Sequence, residues 1–320
     1  MHVRILYRCV VSPSVESKAL GVKVGMTIKE ARTIVLQIIF LPPDPPKYRY
    51  VHELFCDIFR SYSPVVTALS IDEAVINLAG TPAYKYKGAE AVAKEIKRRI
   101  REEIGCYMTC SIGVGTNHFL AKTAAGLKKP DGYNVIDHRN LRQVLSGLAL
   151  MDLCGIANRN AARLMGEGIV TPLEFLDADV GTLTRAFESI NGYYWTERLH
   201  GWEIDGVDHE RGSYGNSYSL RRPTSDPKPL SEILMKLSTK ATERMRRGGY
   251  SAQGVHLAFQ YGRNGGWHVG KKFSVPQYAN LEIYRKGLYL MNLQPRREVV
   301  TNVAVAGFDL VREEGTHLGS

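Results

Sequence analysis

Two adjacent carboxylates, Asp72 and Glu73, are the side chains in this sequence best suited to chemistry. They lie in the segment Ser70–Ala74, between β-branched-rich segments at 65–70 and 74–78 that predict short strands. Neighbouring side chains on a regular strand point to opposite faces, so adjacent acids share a target only where the strand bends or ends. Acids at such a bend would supply half of a Mg²⁺ site, and we predict that both converge on one ion. An ordinary polar turn is the alternative explanation of a bare Asp-Glu pair.

The elements around the acid pair alternate between helix and strand. Apolar residues at three- and four-residue steps predict a helix from Val51 to about Ser63, after a proline-rich loop over 41–46. The same reasoning predicts an amphipathic helix, a buried strand and a second helix over 89–101, 106–114 and 118–127, respectively. This alternation is typical of a sheet with helices on one side.

The pattern changes along the rest of the chain, as expected for 320 residues, which exceed the usual size of one hydrophobic core. From Leu141 to about Glu203 it is wholly helical, and a capping box from Thr171 to Glu174 marks one helix start. Residues 204–215 are polar and glycine-rich, which is typical of a linker. The last third predicts a βαββαβ module with elements at 217–222, 230–247, 252–260, 267–274, 278–291 and 299–310.

Composition excludes several classes of protein. An apolar fraction of 44% and a charged fraction of 23% are ordinary for a globular protein. No apolar run approaches the roughly 20 residues that span a bilayer, and no secretory signal is visible, so we expect no membrane partner and a cytoplasmic location. The five cysteines include no CxxC pair, which argues against a disulfide framework or a zinc ribbon and favours reduced packing residues.

Basic residues outnumber acidic ones by 42 to 32, and most of the surplus lies near the C-terminus. From Ser213 onward there are 16 basic and 8 acidic residues. A localised basic surface attracts a phosphate backbone, because neutralising phosphates releases condensed counterions. Charge therefore points to nucleic acid as a partner, with a solvated basic face as the alternative.

Several of these segments resemble, in the same order, the motifs of Y-family DNA polymerases. The hairpin around Ser70–Ala74 is similar to the palm hairpin of that family, and Cys110–Gly132 is similar to its next palm segment. Ser14–Met26 resembles the fingers motif that holds the nucleotide triphosphate. Leu150–Leu164 resembles a helix-hairpin-helix, and the module that starts at Tyr214 resembles the little finger, which grips duplex DNA from the major groove.

The resemblance implies an α+β fold of the multi-domain polymerase right-hand type. Its parts would be partial fingers, an α/β palm, a helical thumb with the helix-hairpin-helix, a linker, a βαββαβ little finger and a tail. These parts would span residues 1–48, 49–139, 140–205, 206–213, 214–312 and 313–320, respectively.

The resemblance also implies roles for individual side chains. Asp72 and Glu73 would ligate catalytic Mg²⁺, and Lys18 and Lys129 would neutralise the triphosphate of the incoming nucleotide. The metal site and the nucleotide site would therefore draw on three separate segments of the chain.

Further implied roles concern DNA. The helix-hairpin-helix, with Gly155 and Ala157 in its turn, would aim backbone N–H groups at a DNA phosphate. Ala157 stands where the family usually has a second glycine. In the little finger, the candidates for phosphate contacts are Arg221, Arg222, Arg263, Lys271 and Lys272.

The sequence departs from the family pattern in its fingers and at its start. Val15 and Lys18 stand where a tyrosine and an arginine are usual, which removes a hydrogen bond and a bidentate fork. Family members begin with a palm strand that carries the first metal-binding aspartate, and neither Asp44 nor Asp57 is placed to substitute for it. We therefore expect a chain that starts at Met1 to be nearly inactive alone, as a truncated or degenerate paralogue or one whose true start lies upstream.

The leading hypothesis is template-directed DNA synthesis of the low-fidelity, lesion-bypass type. It implies Mg²⁺, primer-template DNA and deoxynucleoside triphosphates, and it leaves open a sliding clamp as a further partner. A noncatalytic DNA-binding accessory protein derived from the same scaffold is the second hypothesis. A helix-hairpin-helix repair enzyme of another kind is the third, and the palm-like motifs disfavour it.

Overall fold

The computed structural model describes residues 9–205, 211–262, 265–295 and 297–313. The chain divides into two units, Met1–Val207 and Asp208–Ser320. Both combine helices with strands, which confirms the α+β class. No helix within the described ranges is long and apolar enough to cross a membrane.

The N-terminal unit contains two small sheets. Strand β1 (Val66–Ala68) pairs antiparallel with β2 (Ala74–Ile76), and β3 (Ile112–Gly115) pairs parallel with β4 (Tyr133–Ile136). Helix α5 (His118–Leu127) is the crossover between β3 and β4. The first sheet is preceded in sequence by the helices α1 (Val15–Ala19), α2 (Ile28–Ile34) and α3 (Pro45–Arg60). Helix α4 (Pro82–Arg99) follows β2 and precedes β3.

Helix α3 begins inside the predicted proline loop, which corrects that prediction. Pro45 and Pro46 occupy its first positions, where the missing N–H groups would have had no helical partner. The Asp44 side chain caps the helix by accepting a hydrogen bond from the Lys47 N–H at 3.2 Å. The helix ends at Arg60 rather than near residue 63.

Two other predicted elements also have different bounds. The predicted strand over 106–114 was wrong for most of its length, since Tyr107 is 95% exposed in a turn and pairing starts at Ile112. Helix α4 starts at Pro82 rather than residue 89, with a break at Gly88, where φ is 76°, and continues as a π-helical turn over Ile100–Ile104.

The segment after β4 is helical, as predicted. Its buried core includes Phe175, Leu183 and Leu199, and Leu120 of α5 belongs to the same cluster. Thr171 and Glu174 form the predicted capping box. The helices are α6 (Leu141–Ser146), α7 (Asn158–Gly166), α8 (Pro172–Asp177), α9 (Val180–Phe187) and α10 (Asn191–Leu199), with a 3₁₀ turn at Leu150–Asp152.

The C-terminal unit is the predicted βαββαβ module. Its strands form one antiparallel sheet in the order β5-β8-β6-β7, and the buried side chains of both helices pack with Val255, Leu257 and Val305. Because these residues alternate along their strands, one sheet face is covered and the other is open. The elements are β5 (Ser213–Thr224), α11 (Pro227–Arg247), β6 (Tyr250–Tyr261), β7 (Gly265–Gln277), α12 (Asn280–Met291) and β8 (Val300–Arg312).

The strands of this module are longer than predicted. Strand β5 already begins at Ser213, so the end of the predicted linker is ordered β structure. Residues 206–210 of that linker, residues 263 and 264 of the predicted turn, and residues 314–320 of the predicted tail lie outside the described residues.

Candidate active site

The two carboxylates lie at the tip of the hairpin formed by β1 and β2, where the sequence predicted a bend. The N–H groups of Leu69 and Ser70 donate to the Glu73 carbonyl oxygen at 2.9 and 3.2 Å. The Ser70 hydroxyl donates to Asp72 Oδ1 at 2.6 Å, and the Asp72 N–H donates to the same hydroxyl oxygen at 3.3 Å. Both acids are exposed, so their oxygens are accessible to a cation.

A histidine on α3 holds the other side of this tip. His52 Nδ1 lies 3.1 Å from the Ile71 carbonyl oxygen, so it carries the proton and donates. His52 Nε2 then accepts from the thiol of Cys56, whose Sγ is 3.5 Å away. Burial raises the pKa of the Cys56 thiol, which keeps it protonated and able to donate. The sequence reasoning missed His52, because no motif marks a contact between a helix and a distant turn.

Lys122 of α5 provides a cation next to the acid pair. Its Nζ donates to Glu73 Oε2 at 2.7 Å, and both side chains remain partly exposed. The hydrogen bond with Glu73 is the main cause of the raised pKa of Lys122, which therefore stays charged. The sequence reasoning also missed Lys122, although it lies inside the palm-like segment that contains Lys129.

Glycines on β3 explain why α5 lies close enough to reach the hairpin. A Cβ atom on Gly113 would lie 2.0 Å from the Ala121 carbonyl oxygen, and one on Gly115 would lie 2.5 Å from the Ala121 nitrogen. Only a residue without a side chain allows this approach of helix to strand. The glycines of the palm-like segment therefore position the helix that carries Lys122.

Asn117 connects α5 to the helical segment. Its Oδ1 caps α5 by accepting from the Leu120 N–H at 2.8 Å. Its Nδ2 donates to the carbonyl oxygens of Arg198 and Trp202 at 2.8 and 2.9 Å. The side chain is buried, so these bonds are shielded from competing water.

The turn after Lys129 is held by a nearly buried lysine. Lys97, whose side chain is 13% exposed, donates from Nζ to the carbonyl oxygens of Asp131 and Gly132 at 2.6 and 2.8 Å. Lys129 itself is exposed, and so is Lys18 on α1. Both predicted nucleotide-binding lysines thus present their side chains to solvent, and their roles stay predictions.

The donor set of the hairpin tip suits Mg²⁺, which proteins commonly hold through one or two carboxylates together with substrate phosphates. Asp72 and Glu73 provide two exposed carboxylates on consecutive residues of the turn. No group of three or more His, Cys, Asp or Glu side chains able to hold a metal ion occurs in the part of the chain that the structure describes. The two carboxylates would therefore supply only part of the coordination shell of Mg²⁺, and phosphate and water would supply the rest.

The turn of the predicted helix-hairpin-helix has a structural reason for its glycine. Gly155 has φ of 87°, and a Cβ there would meet the Trp195 ring at 3.2 Å. Helix α7 follows Ala157, whose side chain makes no capping bond. DNA contact by Gly155 and Ala157 stays a prediction.

The basic candidates of the C-terminal unit lie in different environments. On β7, Lys272 lies opposite Gly254 of β6 in the strand register. Its Nζ forms an ion pair with Asp309 Oδ2 at 2.6 Å. Lys271 pairs with core residue Val255, and its Nζ donates to the Tyr289 hydroxyl on α12 at 3.0 Å. Adjacent lysines therefore project to opposite faces, Lys272 to the open face and Lys271 to the helical layer.

The arginine candidates are partly described. Arg221 and Arg222 are exposed on β5, within a stretch where the pairing register with β8 shifts. Arg263 lies outside the described residues. Phosphate contact by these arginines stays a prediction.

Comparison with known families gives matches over both units. Residues 3–126 match the impB/mucB/samB family, and residues 211–319 match the C-terminal domain of that family. DNA polymerase IV 1 of Bacillus subtilis strain 168 is 30% identical over 312 residues, which cover 95% of this chain and 73% of the relative. DNA polymerase IV of Pelotomaculum thermopropionicum is 30% identical over 319 residues, which cover 97% and 77%.

Solved structures share the fold. A Y-family DNA polymerase chimera of Dbh and Dpo4 superimposes with a TM-score of 0.79 at 23% identity, covering 95% of this chain and 88% of that one. DinB from Sulfolobus solfataricus gives a TM-score of 0.55 at 22% identity, covering 96% and 89%.

Proposed function

Because this chain belongs to the Y family of DNA polymerases, we propose that the acid pair at the hairpin tip is its site of template-directed DNA synthesis. The reaction is of the low-fidelity, lesion-bypass type. The primer 3′-hydroxyl attacks the α-phosphorus of a deoxynucleoside triphosphate, a new phosphodiester bond forms, and pyrophosphate leaves. The exposed position of Asp72 and Glu73 beside the Lys122 ammonium group is the observation that carries the proposal.

Asp72 and Glu73 would hold Mg²⁺, which when bound neutralises phosphate charge and activates the attacking hydroxyl. The Ser70 hydroxyl donates to Asp72 Oδ1, so it orients that carboxylate within the turn. Lys122 balances the charge of Glu73 in the absence of substrate. The hairpin therefore enters the reaction with its side chains already arranged, which lowers the cost of reorganisation.

Lys18 and Lys129 would neutralise the triphosphate. Both are exposed cations on or beside elements of the same unit as the acid pair. Lys97 donates two hydrogen bonds to the turn that follows Lys129, so the backbone next to Lys129 is held in place. A lysine contributes a point charge rather than a bidentate fork, so we expect Lys18 to bind phosphate without strong orientation.

The C-terminal unit would bind the primer-template duplex through the open face of its sheet. Lys272 lies on that face, and exposed Arg221 and Arg222 lie on β5. Phosphate contacts of this kind bind DNA without regard to sequence, as a polymerase requires. A cytoplasmic location and recruitment by a sliding clamp belong to the same proposal.

Primer extension by the purified protein of the full reading frame, with any segment encoded upstream of Met1 included, tests the assignment. We expect an Asp72→Ala, Glu73→Ala double variant to extend a primer at least about 10³-fold more slowly than wild type, because the reaction loses several kcal/mol of charge stabilisation. Its DNA affinity should be unchanged. Asp57→Asn is the matched control, since this exposed carboxylate on α3 pairs only locally with Arg60 at 2.9 Å.

Equal extension by wild type and the double variant would reject the acid pair as the catalytic site. If the wild-type protein of the full reading frame bound primer-template DNA but incorporated no nucleotide with Mg²⁺ or Mn²⁺ present, the noncatalytic DNA-binding hypothesis would replace the polymerase assignment.

A further inference from the structure

Two histidines of the C-terminal sheet are diagonal neighbours on its open face. His256 on β6 pairs with Gly270 on β7, and His268 on β7 pairs with Ala258 on β6. The core residues on either side of His256 face the helices, so its own side chain faces away from them. A diagonal pair of this kind lies within reach of long side chains.

The small partners of these histidines leave room for the two rings to meet. A Cβ atom on Gly270 would lie only 3.3 Å from Cδ2 of His256. With glycine there, the His256 ring lies across β7 toward His268, and the ring centroids are 5.4 Å apart. The pairing is therefore set by the register of β6 and β7.

The distance between the facing nitrogens matches the separation of two imidazole nitrogens bound to one metal ion. Nε2 of His256 and Nδ1 of His268 are 3.3 Å apart. Two imidazole nitrogens bound at about 2.0–2.1 Å to one tetrahedral ion would lie about 3.3–3.4 Å from each other. We propose that His256 and His268 form a two-histidine site for a late first-row divalent cation such as Zn²⁺, Ni²⁺ or Cu²⁺.

In the metal-free chain one of these two nitrogens carries a proton and donates it in a hydrogen bond to the other. When the metal binds, that proton moves to the other nitrogen of its own imidazole ring, so each histidine stays neutral and each offers one lone pair.

The ligand chemistry separates this site from the acid pair. Imidazole nitrogen suits Zn²⁺, Ni²⁺ and Cu²⁺, whereas carboxylate oxygen suits Mg²⁺. No third His, Cys, Asp or Glu ligand joins the pair in the described ranges, so water completes the coordination shell. The proposal does not depend on polymerase activity, because the two sites lie in different units and prefer different ions.

Calorimetric titration with Ni²⁺ tests the site. The full-length chain is first stripped with chelator, then titrated in excess Mg²⁺ so that carboxylate sites are saturated. We expect wild type to bind one more Ni²⁺ than the His256→Ala, His268→Ala double variant, and each single variant to bind that ion at least about tenfold more weakly. His138→Ala, which removes an exposed histidine of the other unit, should bind like wild type.

Thermal unfolding gives a second readout. An ion that bridges β6 and β7 binds the folded sheet more tightly than the unfolded chain, so Ni²⁺ should raise the melting temperature of wild type and of His138→Ala. The double variant should lose that rise. Equal Ni²⁺ stoichiometry, or an equal rise in melting temperature, for wild type and the double variant would overturn the proposal.

Discussion

The two units of this chain hold their functional side chains in different ways. In the N-terminal unit the strands beside the acid pair are three residues long, and single hydrogen bonds from His52 and Lys122 hold the tip between them. In the C-terminal unit, the strands are 12 or 13 residues long, so exposed side chains are spread along a whole face of the sheet. Catalysis would therefore depend on a few individual contacts, whereas DNA binding would be distributed over many side chains. Single substitutions should act strongly in the N-terminal unit and weakly in the C-terminal unit.

The largest effect should come from the packing of α5 on β3. We expect Gly113→Val to destabilise the N-terminal unit by about 3 kcal/mol or more, because the new side chain would overlap the Ala121 carbonyl oxygen. Urea denaturation measures the free energy of unfolding. Gly126→Ala is the matched control, since a Cβ at this helical position meets nothing within 4 Å and should stabilise by about 0.5–1 kcal/mol.

A smaller and more selective effect is expected at Lys122. Lys122→Ala should slow primer extension about 10–100-fold, as is typical when a partner that orients a metal-binding side chain is removed. The free energy of unfolding should change by less than about 1 kcal/mol, because the ion pair is partly exposed. Lys122→Arg should recover part of the rate. Equal rates for Lys122→Ala and wild type would show that this lysine does not position Glu73.

The smallest effect should separate the adjacent lysines of β7. Lys272→Gln should reduce the slope of log affinity for DNA against log salt concentration by about 0.9, as expected for one lost phosphate contact. Lys271→Gln should leave that slope unchanged, because its ammonium group lies beside the Tyr289 hydroxyl and ring. Fluorescence anisotropy over a range of salt concentrations measures both slopes. Equal losses would mean that the assignment of these lysines to opposite faces has no bearing on DNA binding.

The sequence predicted the C-terminal module well because its signals are local. Long alternating strands and amphipathic helices are separated by turn residues such as Gly262, so element order follows from periodicity alone. The same reasoning put Asp72 and Glu73 between two strands, and the structure shows the tip of a hairpin there.

The remaining features depend on information that periodicity does not carry. The start of α3 was missed because Pro45 and Pro46 break a helix interior but are tolerated at its first positions. The apolar run over 106–114 resembled a strand, but only its end at Ile112 finds a pairing partner. Contacts of His52 and Lys122 join residues distant in sequence, so they follow only from the folded arrangement.

The amide of Asn117 has a mechanical consequence. Its oxygen holds the start of α5, and its nitrogen donates to two carbonyl oxygens at the end of the helical segment. Rotating that segment against α5 would break two buried hydrogen bonds at once, each costly to leave unmade. Asn117 therefore couples the position of α5, and with it Lys122, to the end of the helical segment.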